Sequence, residues 1–577
     1  MDSRTAAHVL SQIGALLEVK GEQRYKARAY AGAARALVTL DTDDLAPFIK
    51  SGELAKKPGI GPATLGVVRD LVETGESSYL NQLREGMPAG LLDLMRVPGL
   101  GVAKIQIIHE ALGVETVEDL ERVARNGQLA GLPKFGKKTA EKILRGIEIS
   151  RRNAHLERFP RAVLEAHLLL ANVEKHPDIS AADVAGSIRR HNEVVADIDI
   201  VAACSAEPET VAESFGRSPG VNQATPGEEP GSVRIRFVDG AQVDMYCVRD
   251  PDYAVALWRA TGSTAHVEEM ELLAKKKGYE IKGNWLVKRG GKRIPIESED
   301  ALFAAFDLLP IPPEMREGMG EIDAAARREL PDLVTYDDLR GALHCHTDYS
   351  DGAATLEEMV QAARERGWSY IGISDHSESA FYAGGLKRDK VARQHAEIDR
   401  LNSGMKGFRI LKGIEADILA DGKLDYDPEF LDRFDYVIGS IHSRFSMDGE
   451  TMTRRVLAAM DDPHLTILAH PTGRLLLSRE PYPIDIQAVL EKAARIGVAV
   501  ELNADPHRLD LDWRYCREAK ELGVTIEIGP DAHSTAGLDN VHFGIGLARK
   551  AWLEAGEILN GGSADDVVAF ARKRRRN

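Results

Sequence analysis

The chain has 577 residues, too many for one hydrophobic core, so its length predicts roughly three or more compact units. The composition, 44% hydrophobic and 28% charged, is that of a globular protein, and no apolar run approaches the roughly 20 residues of a membrane span. The formal net charge of −16 excludes a uniformly basic coat for nucleic acid. Residues 1–150, however, carry 20 Lys and Arg against 19 Asp and Glu, so a DNA-binding surface is expected near the front of the chain.

The N-terminus and the cysteines indicate the compartment. The first residues lack a basic stretch followed by an apolar core, so we expect no signal peptide. Cys204, Cys247, Cys345 and Cys516 are scattered without CxxC spacing, which predicts a reducing cytosol and no disulfide framework. We therefore expect a cytoplasmic protein without a membrane partner.

Three stretches of the first third share one plan: KKPGIGPATLG (56–66), RVPGLGVAKIQ (96–106) and GLPKFGKKTAE (131–141). Each places Pro and Gly in a tight turn before a helix start, whose free N–H groups and positive dipole end suit a phosphate. A single copy is typical of any helix–helix turn, but three copies resemble the helix-hairpin-helix motif and favour contacts with the DNA backbone. The expected DNA-binding residues are Gly59, Gly61, Gly99, Gly101, Lys134, Gly136, Lys137 and Lys138.

Two predicted strands in the middle of the chain carry three aspartates. VVADIDIVAA has strand composition and places Asp197 and Asp199 on one face, because successive side chains alternate. VRIRFVDGAQVDMYCV is predicted to form a β-hairpin with Asp244 on its second strand. Three carboxylates on neighbouring strands would hold two Mg²⁺ ions, which stabilise the attacking and leaving oxygens of a phosphoryl displacement. For the D-I-D stretch alone, a solvated strand face is the alternative.

The order GSxRR…DxD followed by a distant Asp resembles the nucleotidyltransferase palm of family X DNA polymerases, the DNA polymerase beta group. The resemblance implies that Asp197, Asp199 and Asp244 are catalytic and bind Mg²⁺ or Mn²⁺, with Asp244 helping to deprotonate the primer 3′-OH. It also implies dNTP substrates and a thumb whose last segment is DLLPIPPEMREG (307–318). The expected nucleotide-binding residues are Gly186, Ser187 and Arg190, with Thr261, Gly262 and Ser263 of the TGS turn.

The chain departs from this family pattern in four places. His191 and Ala196 stand where the family often has Gly, and Arg259-Ala260 replace the aromatic pair that precedes TGS in animal members. The aromatic pair that would exclude ribonucleotides is thus missing, and the sequence leaves ribonucleotide discrimination open. Val67 falls where animal members carry a Schiff-base lysine, so 5′-deoxyribose-phosphate lyase activity is not expected by this route.

From about residue 340, short apolar runs alternate with predicted helices, and polar residues follow directly after the runs. This order is typical of β/α barrels, whose functional residues lie at the C-terminal ends of parallel strands. His344 and His346 open the series at i and i+2, facing one side of an extended segment. A lone strand-end histidine is usually structural, whereas six of them with acidic neighbours predict a metal site.

The pattern HxHTxxSDG…DH…E…H…H…DxH resembles the PHP (polymerase and histidinol phosphatase) domain, a distorted seven-stranded barrel. The resemblance implies up to three Mn²⁺ or Zn²⁺ ions, bridged by Glu415, that supply a hydroxide nucleophile and hold a scissile phosphate. The implied metal ligands are His344, His346, Asp351, His376, Glu415, His442, His470, Asp531 and His533.

The expected fold class is multidomain, α+β and α/β. A helical helix-hairpin-helix region is followed by a nucleotidyltransferase-type palm with thumb, and then by the PHP barrel. The expected segments are 1–80 (N-terminal DNA-end-binding helices), 81–152 (fingers-like helices), 153–250 (palm), 251–318 (thumb), 319–339 (linker) and 340–577 (PHP domain).

Together the parts resemble a bacterial family X DNA polymerase fused to a PHP domain. The resemblance implies a monomeric, nucleoid-associated enzyme that fills short gaps in gapped or primed duplex DNA, in base excision repair or end processing. The PHP site is expected to be a 3′–5′ exonuclease, with apurinic-site cleavage and 3′-phosphate removal as further activities. Two alternatives stay open: a PHP phosphatase or nuclease with a vestigial polymerase, and a non-catalytic DNA-end scaffold.

Overall fold

The structure is a computed structural model that describes residues 1–19, 24–40, 42–85, 87–88 and 90–576. It divides into two compact units. The first comprises Met1–Glu157, Arg161–Arg189 and Val194–Asp307, and the second comprises Arg158–Pro160, Arg190–Glu193 and Leu308–Asn577. Within the described ranges, no helix is both long enough and apolar enough to span a membrane.

The first unit begins with the helices that carry the three hairpins. Their buried leucines, isoleucines and valines form one hydrophobic cluster, so each helix turns its apolar stripe inward. The helices are α1 Ser3–Val19, α2 Arg24–Val38, α3 Ala46–Lys50, α4 Pro62–Thr74, α5 Ser78–Arg84, α6 Leu91–Met95, α7 Val102–Leu112, α8 Val117–Arg125 and α9 Lys137–Arg152.

Arg4 of α1 ties the helical region to the sheet that follows within the same unit. Its Nη2 lies 2.5 Å from Glu165 Oε1 and 2.9 Å from Asp239 Oδ2. The guanidinium stands 3.7 Å from the ring centroid of Phe237, and the side chain is only 5% exposed. These contacts connect α1 to elements that follow it in the same unit.

A five-stranded sheet lies at the centre of the first unit, in the strand order β2-β4-β7-β6-β5. Strands β4 and β7 are parallel, whereas the other neighbouring pairs are antiparallel. The elements, in chain order, are β1 Glu157–Arg158, α10 Phe159–Val173, β2 Ile179–Val184, α11 Gly186–Arg189, β3 Val194–Val195, β4 Ile198–Cys204, α12 Pro208–Phe215, β5 Val221–Pro226, β6 Ser232–Phe237 and β7 Gln242–Arg249.

The first unit ends with helices around a small antiparallel sheet of order β10-β9-β8. Trp258 is fully buried in the first of these helices. The elements are α13 Tyr253–Thr261, α14 Thr264–Lys276, β8 Tyr279–Lys282, β9 Trp285–Lys288, β10 Lys292–Ile294 and α15 Glu299–Ala304.

The second unit contains two parallel sheets, β11-β12-β13 and β14-β15-β16-β17-β18. Isolated parallel bridges join their edges, from His376 to Glu415 and from Cys345 to Ala532. The parallel order agrees with the expected β/α fold class, while the count of seven strands stays a prediction. The elements are α16 Glu321–Arg327, β11 Gly341–Ala342, α17 Leu356–Glu365, β12 Tyr370–Ile373, α18 Arg388–Gly404, β13 Arg409–Lys412, β14 Glu415–Asp417, α19 Pro428–Leu431, β15 Val437–Ser440, α20 Gly449–Met460, β16 Leu465–Leu468, α21 Ile486–Ile496, β17 Ala499–Asn503, α22 Trp513–Leu522, β18 Ile526–Gly529, α23 Val541–Lys550 and α24 Ala564–Arg576.

The basic end of α24 contacts the segments that lead into β16 and β17. Arg574 is 7% exposed and donates to the backbone carbonyls of Met460 and Ile496, the last residues of α20 and α21. It also donates to the carbonyl of Asp462. A guanidinium at two helix C-termini satisfies orphan carbonyls and favours both helix dipoles.

Candidate active sites

The palm sheet brings the three expected catalytic aspartates together. In the parallel pair β4 and β7, Asp199 is the direct partner of Asp244, and Asp197 directly precedes β4. Ile198 and Ile200 are buried on the other face, so strand alternation turns the aspartates to one side. This pairing depends on strand order and register, which the sequence alone did not specify.

The electrostatics of this cluster favour a bound cation. Burial and the neighbouring charge of Asp244 raise the pKa of Asp197 above its ordinary value. Arg234 binds Asp244 through two hydrogen bonds, from Nε at 2.7 Å and from Nη2 at 2.8 Å. The sequence analysis missed this arginine. Carboxylate oxygens crowded onto one face are the donor set that Mg²⁺ and Mn²⁺ prefer, so the residues fit the implied ions.

Gly186 lets the turn between β2 and α11 approach the aspartates. Its φ is +59°, and a Cβ built there would lie 1.8 Å from Asp199 Oδ2. Only glycine can therefore occupy this position without displacing the carboxylate. The neighbouring Ser187 Oγ is buried and has no hydrogen-bond partner among the residues that the structure describes. A buried hydroxyl without a partner points to a missing ligand.

The two arginines after Ser187 make different contacts. Arg189 belongs to the first unit, where its Nη1 donates to Thr261 Oγ1 at 2.7 Å and to Glu299 Oε1 at 3.0 Å. Arg190 belongs to the second unit, where its Nε donates to Glu317 Oε1 at 2.9 Å. Arg189 is thus the arginine that holds the TGS turn.

The other residues of the TGS segment also have structural roles. Thr261 is buried and donates from Oγ1 to the Leu257 carbonyl. Gly262 has a φ of +68°, and the Gly262–Ser263 peptide is cis. Ser263 caps α14 by accepting from the His266 N–H at 3.3 Å.

His191 has a left-handed backbone where the resembling family often has glycine. Its φ is +54°, which costs a non-glycine residue conformational energy. The ring lies 4.9 Å from the ring of Phe159, centroid to centroid, and a Cβ on Gly546 would come within 2.1 Å of His191 Nδ1. Burial lowers the pKa of His191. Packing inside the second unit therefore holds the strained residue.

The three hairpins share one backbone geometry. Gly59 and Gly99 have φ values of +90° and +85°, and Lys134 occupies the equivalent position at +72°. In each hairpin the next residue is buried and donates its N–H back three residues. Gly61, Gly101 and Gly136 then cap α4, α7 and α9 in extended conformation, and Lys137 and Lys138 begin α9 with exposed side chains.

The nine expected ligands of the second unit converge at the strand ends. The donor atoms of eight of them form three groups, in each of which all atoms lie within 4.8 Å of one another. The groups are His346, Asp351, His376 and His533; His344, His346 and Asp531; and His376, Glu415 and His442.

Glu415 lies at the centre of these groups. Its Oε2 is 2.8 Å from His376 Nδ1 and 3.5 Å from His344 Nε2. Its Oε1 is 3.1 Å from His470 Nε2 and 3.3 Å from His442 Nε2. The position suits a carboxylate that bridges ions, and it brings His470, which is in none of the three groups, to the same centre.

Asp531 and Asp351 complete the cluster on two sides. Asp531 Oδ1 lies 3.5 Å from His344 Nε2 and 3.4 Å from His346 Nε2. Asp351 Oδ1 lies 3.4 Å from His533 Nε2. Asp531 has a positive φ of 49°, a strained conformation that is common at functional sites.

The buried imidazoles have strongly shifted pKa values. Burial, with help from His533 and His376, lowers the pKa of His346 to about 3. Burial also lowers the pKa of His376, but the carboxylates of Glu415 and Asp351 outweigh it and raise the value to about 10. For Glu415, burial opposes ionisation, yet the surrounding imidazoles hold its pKa well below the ordinary value.

Several donor atoms at the centre lack hydrogen bonds. In the described part of the chain, His344 Nε2, both ring nitrogens of His346 and Glu415 Oε2 are buried without a partner of normal geometry. Buried polar atoms are rarely left unsatisfied unless they await an ion or water. Mixed imidazole and carboxylate donors fit Mn²⁺ or Zn²⁺.

A further layer of carboxylates orients the ligands. Glu501 Oε1 lies 2.5 Å from His344 Nδ1, while Glu501 Oε2 accepts from the His470 N–H at 2.7 Å. Asp417 Oδ1 lies 2.8 Å from His442 Nδ1. The sequence analysis did not select these residues. The available signal was a charged residue inside the otherwise apolar strand VAVELN, because carboxylates are seldom buried without a role.

The fold and the two clusters define a nucleotidyltransferase-type palm joined to a metal-dependent phosphoesterase domain. Family models match as PHP domain at residues 342–505 and DNA polymerase beta thumb at 256–317. Two more match as SAM-like helix-hairpin-helix tandem at 91–148 and helix-hairpin-helix domain at 1–77.

Known proteins resemble the chain in two ways. The DNA polymerase/3′-5′ exonuclease PolX of Bacillus subtilis is 36% identical over 579 residues, covering 99% of this chain and 100% of that protein. A probable phosphatase of Caldanaerobacter subterraneus is 29% identical over 250 residues, covering 40% of this chain and 91% of the phosphatase. The chain belongs to the PolX family of bacterial family X DNA polymerases, which confirms the expected family.

Proposed function

We propose that the chain is a template-directed DNA polymerase that fills short gaps during repair, with a metal-dependent 3′–5′ exonuclease in its PHP domain. The observation that carries the first activity is the register of Asp199 against Asp244, with Asp197 beside them. The full-length similarity to a protein named for both activities supports the pair of functions. Cytoplasmic location and a monomeric state belong to the same proposal.

In the polymerase, Asp197, Asp199 and Asp244 hold Mg²⁺ or Mn²⁺. When bound, such ions stabilise the charge that develops as a primer oxygen attacks the dNTP. Asp244 accepts the proton of the primer 3′-OH. Gly186 gives the loop its approach to the aspartates, and Ser187 Oγ donates to a phosphate oxygen, which satisfies a hydroxyl that has no partner in the described chain.

The other expected nucleotide-binding residues contact the triphosphate or form the turn below the nucleotide. Arg190 binds triphosphate oxygens, for which it exchanges its ion pair with Glu317. Thr261, Gly262 and Ser263 form the turn beneath the nucleotide, and Arg189 fixes that turn through the Thr261 hydroxyl. These groups orient the dNTP, and orientation supplies much of the catalysis in phosphoryl transfer.

In the PHP domain, the nine strand-end ligands hold up to three Mn²⁺ or Zn²⁺ ions. Such ions provide a hydroxide near neutral pH and neutralise a scissile phosphate. Glu501 and Asp417 keep His344 and His442 in their ligating orientations. Arg508, whose Nε lies 3.3 Å from Asp531 Oδ2, places a further positive charge beside the cluster for the phosphate.

The hairpins bind the DNA backbone. Their turns lead into the N-terminal ends of α4, α7 and α9, where free N–H groups of the first helical turn and the positive dipole end suit a phosphate, and Lys134, Lys137 and Lys138 add charge at the third turn. Contacts of this kind hold a gapped duplex without reading its sequence. A non-catalytic DNA-end scaffold would share this binding but would add no nucleotide.

One assay tests the proposal. The full chain is incubated with a labelled primer on a one-nucleotide gap, with Mg²⁺ or Mn²⁺, in the presence and absence of dNTPs. We expect extension with dNTPs and stepwise shortening from the 3′ end without them. Lack of extension with either metal would favour the scaffold or the vestigial polymerase.

The similarity to probable phosphatases supports one rival for the PHP site, a phosphomonoesterase. It is tested by comparing a 3′-hydroxyl strand with a free phosphomonoester under the same metal conditions. The exonuclease proposal predicts much faster hydrolysis of the strand. The reverse order would make the domain a small-molecule phosphatase.

A further inference from the structure

The loop after β12 carries two aromatic side chains in water beside the metal ligands. Phe381 is 86% exposed and Tyr382 is 60% exposed. The Tyr382 ring centroid lies 6.2 Å from that of His442 and 6.5 Å from that of His376. Large aromatic side chains normally gain stability by burial, so this exposure has no explanation in packing.

Hydrogen bonds and two buried alanines hold the loop in this conformation. Ala380 is fully buried and Ala383 is 4% exposed, on either side of the aromatic pair. The Ala383 and Gly385 N–H groups both donate to the Ala380 carbonyl, at 2.9 and 3.1 Å. At the base of the loop, the Leu386 N–H donates to the His376 carbonyl at 2.8 Å.

The two rings present differently oriented faces. Their planes are 79° apart, with centroids separated by 6.0 Å. Tyr382 has its ring next to those of His376 and His442, and burial with the charges of Asp417, Glu415 and Asp351 raises its pKa. Tyr382 therefore lies nearer the ligands, and Phe381 extends farther into solvent.

We propose that Phe381 and Tyr382 form a stacking platform for the last bases of a single-stranded 3′ end. This deepens the proposed exonuclease function and rests on it. A phosphodiester held at the metal ligands brings its flanking bases to the mouth of the site, and exposed aromatic rings bind bases without selecting their sequence. A small phosphomonoester has no base for this surface to bind. The platform therefore makes the PHP site select strand ends.

The first test compares two oligonucleotides of equal length. One has ordinary bases at its last two 3′ positions, and the other has abasic tetrahydrofuran residues there. We expect wild-type kcat/KM to be about tenfold higher on the strand with bases, the size of one base–aromatic stack. Phe381→Ala and Tyr382→Ala should each abolish most of that preference, mainly through KM, whereas Tyr382→Phe should retain it.

Tyr515→Ala provides the matched control, since Tyr515 is another exposed aromatic of the second unit, 39% exposed on α22. It should behave as wild type on both strands. Equal cleavage of both strands by the wild type would overturn the platform. A Phe381→Ala variant with the same preference for the strand with bases as Tyr515→Ala would also overturn it.

A binding test separates this inference from the exonuclease proposal. The His344→Ala, His346→Ala variant, which is expected not to cut DNA, is titrated into a strand with 2-aminopurine at its 3′ end. Stacking should quench the fluorescence, and adding Phe381→Ala and Tyr382→Ala should restore it. Quenching without any wild-type hydrolysis would refute the exonuclease and support the platform. Wild-type hydrolysis without quenching that depends on Phe381 and Tyr382 would support the exonuclease and refute the platform.

Discussion

Gly186 and Asp199 lie so close that a single methyl group on the glycine would come within 1.8 Å of the carboxylate. This contact places the start of α11 against the carboxylate that pairs in register with Asp244. It also explains why a residue with φ of +59° and no side chain stands at the start of α11.

Gly186→Ala should therefore reduce nucleotide addition by at least about a hundredfold, because displacement of a catalytic carboxylate by about 1 Å has costs of this order. The measurement is single-turnover extension on gapped DNA. Gly66→Ala is the matched control, since Gly66 lies in α4 and a Cβ there meets nothing within 4 Å. Nuclease activity should persist in both variants, and equal loss in both would argue against the contact.

Glu501→Gln should weaken metal binding in the PHP domain by about 10- to 100-fold, because Glu501 orients both His344 and the His470 backbone. Metal content per chain, measured after dialysis against graded chelator, checks this directly. Extension of a primer should not change. Glu491→Gln, an exposed glutamate on α21, should retain wild-type metal content. If Glu501→Gln also retained it, the orienting role would be wrong.

Lys134→Gly should have two opposite effects. A lysine at a φ of +72° has a conformational energy about 1–2 kcal/mol higher than a glycine there. Because a glycine loses more chain entropy on folding, the net gain in the free energy of unfolding is about 0.5–1 kcal/mol. DNA affinity should fall, and the plot of log K against log salt concentration should become less steep by about 0.9 because one phosphate contact is lost. Denaturant unfolding and fluorescence anisotropy measure the two effects. Lys138→Ala should weaken DNA binding without the gain in stability.

Arg574→Ala should destabilise the second unit by about 2–4 kcal/mol, since it leaves carbonyls at the ends of α20 and α21 without their charged donor. Thermal unfolding of the full chain should show a transition with a lower midpoint temperature than that of the wild type. Arg572→Ala, at an exposed position of the same helix, should leave the transition unchanged. Similar shifts in both variants would indicate a general effect of the basic tail.

The sequence predicted the parts of the molecule that repeat or follow strand ends. Hairpin glycines, the aspartate strands and the strand-end histidines all have local spacing that limits their geometry. Lys134 was selected for its charge, and only the structure shows its positive φ at the position that Gly59 and Gly99 occupy in the other hairpins.

What the sequence could not supply were relationships between distant segments. The register of Asp199 with Asp244 depends on the order of five strands, and the hydrogen bond from Arg189 to Thr261 joins residues 72 apart. Glu501 is visible in the sequence as a charge in an apolar strand, but its partner His344 lies 157 positions away. The aromatic pair at 381 and 382 has no spacing signal, and only its exposure beside the ligands marks it.

The most direct measurement of the central claim, two separate phosphoryl-transfer centres, uses two double variants. The full chain is assayed for primer extension on gapped DNA and for shortening of a 3′ end. Asp197→Ala with Asp199→Ala should abolish extension and preserve shortening, whereas His344→Ala with His346→Ala should abolish shortening and preserve extension. If either folded variant lost both activities equally, the two-centre account would be contradicted.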